Sequence, residues 1–103
     1  MNKFILDFSG IKSLLAMHEY FKEVFNLSDY YGHNMDALWD CLSCCYDGST
    51  TIELRNIGAL PKEMAPSVEI MLELFHDLHI EDGVIIVIAD DQMDTGDLSS
   101  YLI

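Results

Sequence analysis

The sequence predicts a small α/β domain with a largely parallel sheet. Three observations carry that expectation. Short apolar runs rich in strand formers alternate with stretches of helical periodicity, the order that builds strand–helix–strand units. One run, Val84 to Ala89 (VIIVIA), is continuously apolar between aspartates, which suits a strand buried on both faces of a parallel sheet. The chain has 103 residues, half of them apolar, enough for one domain with a real core and no disulfide staples.

Lys3 to Phe8 (KFILDF) reads as the first strand, stopped by Ser9-Gly10. From Ser13 the spacing becomes helical: Leu14, Met17, Phe21, Val24 and Phe25 share one face, and Glu19, Lys22 and Glu23 lie opposite. Asn26 to His33 is a polar and aromatic loop. Asn34 suits the N-cap of a second helix, and Asp36 in the first turn suits its dipole. Met35, Leu38, Cys41, Leu42 and Cys45 form the core face of that helix. Asp47-Gly48-Ser49 is a turn before a second strand, Thr50 to Leu54. Between Arg55 and Met64, Gly58 and Pro61 allow at most a short helical turn. Pro66 fits the first turn of the next helix, whose Val68, Met71, Leu72, Phe75 and Leu78 share a face, and Glu81-Asp82-Gly83 ends it. The folded domain is expected over residues 1–90, followed by an acidic C-terminal extension over 91–103.

The charge balance narrows the function. Eighteen acidic residues stand against five basic ones, a net charge of −13. Such a surface repels nucleic acid and anionic membrane and favours a cationic partner. The start MNKFILDF reaches Asp7 too early for a signal-peptide core, and no apolar run approaches the ~20 residues of a membrane span. Three cysteines without a secretory signal point to a reduced, cytoplasmic protein.

The stretch Tyr30 to Asp40, YYGHNMDALWD, is the most distinctive in the chain. Asp36, Asp40 and Ser43 converge on one side of the second helix, with Trp39 at its edge. Like charges at i and i+4 cost a helix ~0.2–0.5 kcal/mol, so folding gives no reason for the aspartate pair. Exposed aspartates are common, and a half-buried Trp often only covers a core. The combination with Tyr30-Tyr31-Gly32 points instead to an interface: aromatic residues dominate binding hot spots, and carboxylates beside them receive arginines.

The motif YYGHNMDALWDCL resembles the centre of the barstar family of intracellular inhibitors of a secreted bacterial ribonuclease, and the resemblance runs through the order of elements to about Ala89. It implies a three-stranded parallel sheet packed with three to four helices, and a motif helix that plugs a nuclease active site. It places Tyr30, Asp36, Trp39, Asp40 and Ser43 at the partner, Asp40 centrally, with Tyr31, Gly32 and Asn34 in the same loop surface and Asp77 at the periphery. Cys44-Cys45 stand where the family has an aromatic, and Asp77 is shorter than the family's glutamate. Family members also serve as immunity proteins to delivered toxins.

Other groupings are weaker. Cys41-Leu42-Ser43-Cys44 is a C-x-x-C late in a helix, away from the strand-to-helix entry that favours a thiolate, and it lacks the ligands of a zinc site. Cys41 and Cys45 are expected buried and Cys44 exposed. Asp90 to Asp97 resembles a calcium loop only in composition. No cofactor and no metal are expected. Three functions remain: a ribonuclease inhibitor or immunity protein forming a 1:1 complex; an acidic mimic of DNA; or a small hydrolase using Asp36 or Asp40 with His33, without a recognisable nucleophile.

Overall fold

The computed structural model describes residues 2–43 and 45–89. Its elements run in the order β1 (Asn2–Asp7), α1 (Leu14–Val24), α2 (Met35–Ser43), β2 (Thr50–Arg55), two 3-10 turns at Ile57–Ala59 and Lys62–Met64, α3 (Ala65–Asp82) and β3 (Ile85–Ala89). The three strands form one parallel sheet in the order β1-β2-β3, the predicted α/β architecture. The acidic extension expected at 91–103 lies outside the described residues. Among these, no helix is long and apolar enough to cross a membrane.

Register makes the sheet two-faced. Phe4, Ile52 and Ile86 stand side by side across the strands, as do Leu6, Leu54 and Ile88. These rows point into the core, where they meet Met17, Phe21, Leu38, Leu42, Met71, Phe75 and Leu78 from the three helices. Side chains alternate across a strand, so the odd-numbered rows occupy the opposite face. There Ile5, Ile85 and Val87 remain 41%, 45% and 38% exposed. The expectation that VIIVIA is buried on both faces is therefore corrected. Strand β3 is an edge strand, and the helices' buried residues belong to the core on the even-numbered side.

Local signals set most element ends. Ser13 caps α1 by accepting from the Ala16 amide. Asp47 turns the chain into β2 by accepting from the Ser49 amide and hydroxyl, and its carboxyl is held below the usual range by those bonds. Pro66 sits in the first turn of α3, and Gly83 ends that helix at φ +75, a left-handed conformation that glycine adopts without strain. His79 supports the same corner through Nδ1, 2.9 Å from the Val84 carbonyl.

Three further expectations change. Leu14 is exposed, because α1 turns Met17, His18 and Phe21 inward instead. Leu74 joins the buried face of α3. Cys45 is exposed rather than buried, because α2 ends at Ser43 and the helical wheel no longer applies beyond it.

Candidate functional site

The loop before α2 is built from the inside out. Tyr31 is 5% exposed, while its neighbour Tyr30 is 96% exposed. The Tyr31 hydroxyl lies 2.6 Å from Nδ1 of the buried His18 on α1. Burial, and then the nearby Cys41, push the Tyr31 phenol well above its ordinary range, so it stays protonated. Burial, reinforced by His33, lowers the pKa of His18 and keeps its ring neutral. Each polar group thereby finds its partner in the other. Tyr31 anchors the loop from beneath, and Tyr30 projects from it.

Two further contacts fix the loop. His33 takes a left-handed conformation at φ +52, with Nδ1 2.9 Å from the Tyr31 carbonyl and Nε2 3.0 Å from Glu19. Asn34 uses both ends of its amide. Its oxygen accepts from the Ala37 amide at 2.8 Å, capping α2, and its nitrogen donates to the Gly32 carbonyl at 3.1 Å. Gly32 fits this latch because it lacks a Cβ; one there would stand 3.2 Å from the Asn34 amide nitrogen. Loop and helix are thus one connected unit.

From that entry α2 presents Asp36 and Asp40 to solvent, one helical turn apart. Neither makes an ion pair or a side-chain hydrogen bond among the described residues. Trp39 and Ser43 are half-buried beside them. Packing of α2 on α3 creates a groove of about 410 Å³ with Met35, Asp36 and Trp39 on one wall. Ile70 and Leu74 extend its apolar floor, and Glu73, Asp77 and Glu81 bring carboxylates from α3. The fold therefore brings Asp36, Trp39 and Asp77 to one groove. Asp40, Ser43 and the loop residues Tyr30, Gly32 and Asn34 do not line it.

Glu73 and Glu81 were not singled out in the sequence. Their signal is the same as that of Asp36 and Asp40: Glu73, Asp77 and Glu81 recur every four residues, three like charges on one stripe of a helix. Such a stripe costs folding energy and suits a cationic surface. On α2 the half-buried Cys41 has its thiol pKa raised by burial and then by Cys45 and Asp40, so it holds its proton and makes a poor nucleophile or redox centre. Cys44 of the C-x-x-C lies outside the described residues. Among the described residues no group of three or more His, Cys, Asp or Glu is placed to hold a metal ion.

Known proteins resemble this chain in sequence. A Bacillus subtilis (strain 168) protein named "Putative ribonuclease inhibitor YrdF" is 39% identical over 56 residues, covering 54% of this chain. The match spans 62% of the length of that relative. The family model described as Barstar (barnase inhibitor) matches residues 1–90, which hold every element of the fold and the whole acidic face. The chain belongs to the barstar family.

Proposed function

We propose that this protein inhibits a bacterial ribonuclease, or a ribonuclease toxin, by seating the outer face of α2 and the loop before it in the enzyme's active-site cleft as a 1:1 complex. The observation that carries the reading is the unpaired Asp36 and Asp40 beside the Trp39 groove, on an element whose entry is latched by Asn34. A ribonuclease must bind a polyanion and stabilise a pentacoordinate phosphate, so its cleft gathers Arg, Lys and His. Carboxylates about 6 Å apart along a helix, four residues at 1.5 Å each, can occupy the positions of successive phosphates. They offer no phosphodiester to cleave, so the cleft is filled without turnover. Asp40 is assigned the central contact and Asp36 the next, with Tyr30, Trp39 and Ser43 packing around them and Asp77 at the rim. Gly32, Asn34 and Tyr31 shape the loop. The protein itself is proposed to have no catalytic activity and to work in the cytoplasm.

The wider charge of −13 serves the encounter. Clefts and patches of opposite sign raise association rates by long-range attraction, and salt shortens the range from ~10 Å at 0.1 M to ~3 Å at 1 M. The test is a titration of basic ribonucleases, including toxin domains, read as residual activity and as association rate against salt. Activity should fall to baseline near one equivalent, and the association rate should drop steeply with salt while dissociation changes less. A protein that leaves all such enzymes active sinks the proposal.

One observation favours a second reading. Glu69, Glu73, Asp77 and Glu81 extend the acidic row along most of α3, as a mimic of DNA would require. Under that reading the partner is a DNA-binding protein, and competition with duplex DNA replaces inhibition of RNA cleavage. The aromatics clustered at Tyr30 and Trp39 favour the compact cleft over the extended track.

A further inference from the structure

Among the described residues, three polar side-chain pairs tie the loop before α2 to α1, and two of them use a histidine. Near the start of the loop Asp29 pairs with Lys22 at 3.2 Å. At its end His33 Nε2 lies 3.0 Å from the Glu19 carboxylate. Between them the Tyr31 ring is sunk under the loop with its hydroxyl on His18 Nδ1. Further bonds stay within the segment: the Ser28 hydroxyl accepts from the Tyr30 amide and the Ser28 carbonyl from the Tyr31 amide. The loop holds its own shape and depends on α1 for its seat.

The two histidines respond differently to a proton. On His33 it meets the Glu19 carboxylate and completes an ion pair. On His18 it meets none. That ring is 2% exposed and faces Phe21, Tyr31 and His33, with ring centroids 5.7, 5.8 and 6.5 Å away. The titratable groups packed around it are Tyr31 and His33 from the loop, and Cys41 of α2, which bears on Tyr31. Glu19 faces His33, and Lys22 and Asp29 face each other. No ion pair among the described residues includes His18, and a charged His33 sets a second positive charge beside it. A charged imidazole needs water in such a place, and Tyr31 is the ring that lies against both histidines.

We propose that the His18–Tyr31 pair is a proton-operated latch: a proton taken up by His18 releases Tyr31 and the loop that carries Tyr30, so the surface at α2 loosens its partner as pH falls. The loss of the partner rests on the reading of this loop as part of the interface; the latch itself does not. The seated loop holds His18 neutral and the released loop lets it charge, so acid favours release. A partner that binds only the seated loop must expel the proton. Its Kd therefore rises by up to roughly tenfold per pH unit once free His18 is charged.

The test starts with the free full chain, followed by NMR between pH 7.5 and 5.0. The amides of Tyr30, Tyr31, Gly32 and His33 are expected to change in one step that shares its midpoint with the His18 ring, while the sheet amides of Phe4 and Ile52 stay in place. His18→Gln keeps a hydrogen-bonding group for Tyr31 but takes no proton, and it should abolish the step. Should that variant not fold, His33→Asn, with a residue that tolerates the left-handed backbone, should keep the step and move it to higher pH, because the neighbouring positive charge is gone. A loop that does not follow the His18 ring, or a sheet that shifts with it, overturns the proposal. Against one inhibited ribonuclease, Kd should then rise more steeply on acidification for the wild type than for His18→Gln, the enzyme's own titration being common to both. Equal slopes overturn the acid release. A loop step in a chain that inhibits no ribonuclease supports the latch and sinks only the reading of the partner.

Discussion

Replacing Asn34 with alanine tests how the acidic helix is held in place. The substitution removes the acceptor for the Ala37 amide and the donor to the Gly32 carbonyl at once. Loss of a helix N-cap costs about 1 kcal/mol, and an exposed backbone bond of the second kind contributes about 0.5 kcal/mol. A total near 1.5 kcal/mol corresponds to a fall in Tm of about 6–12 °C for a domain of this size. Asn34→Asp separates the two bonds. It keeps an acceptor for the cap and adds charge favourable to the helix dipole, but gives up the donor to Gly32; it should melt within ~3 °C of wild type. Gly32→Ala presses on the same latch from the opposite side, so its cost and that of Asn34→Ala should add to less than their sum. The assay is thermal and urea unfolding followed by circular dichroism. If Asn34→Ala melts with the wild type, or Asn34→Asp falls as far as Asn34→Ala, the latch does not hold the helix.

Asp40→Ala should leave folding unchanged or slightly stronger, since it relieves repulsion from Asp36. The same variant should weaken the proposed complex by about 2–5 kcal/mol, more than Asp36→Ala or the peripheral Asp77→Ala, which melts and inhibition titrations on the three proteins would check. The His18 pKa is lowered by burial and by His33, so the unfolded chain takes up that proton first. Its contribution to stability is complete above pH ~6.5 and is lost as pH falls below that value. Urea melts at pH 7.5 and 5.5 should show a pH-dependent loss that shrinks in His18→Gln; an equal loss in both proteins would place the effect elsewhere. Gly83→Ala should cost about 1 kcal/mol from left-handed backbone strain alone, because the added methyl meets the Gly48 backbone only at ordinary contact distance, 3.7 Å. Gly83→Asn should cost less, and equal melts for the two variants would contradict a conformational origin.

Features governed by neighbours in sequence were legible before the fold was known. The cap at Asn34, the turn at Asp47, the stop at Gly83 and the strand positions all depend on side chains within a few residues. What escaped depends on partners far along the chain. Tyr30 and Tyr31 are chemically identical neighbours, yet one is solvated and the other buried, because only the second meets His18. His18 in turn is buried because Tyr31 satisfies its nitrogen from 13 residues away. The edge position of β3 left Ile85 and Val87 exposed, and an apolar run carries no record of which strand lies outermost. The pair Asp36 and Asp40 was visible as a local oddity. The groove that joins Asp36 to Glu73, Asp77 and Glu81 exists only after α2 packs on α3.

The position of the acidic helix within the chain has a consequence for timing. The whole of Tyr30 to Ser43 lies inside the connection between β1 and β2, strands that meet with Asn2 opposite Thr50. Its second support, α3, begins only at Ala65. A growing chain can form the helix early, but cannot seat it until residues made much later have emerged, and closing such long loops precedes the contacts that reward it. The surface therefore becomes competent in one late step rather than by degrees. A chain cut short before α3 would carry the motif without its groove wall, and a cell relying on this surface must finish the domain before its partner arrives.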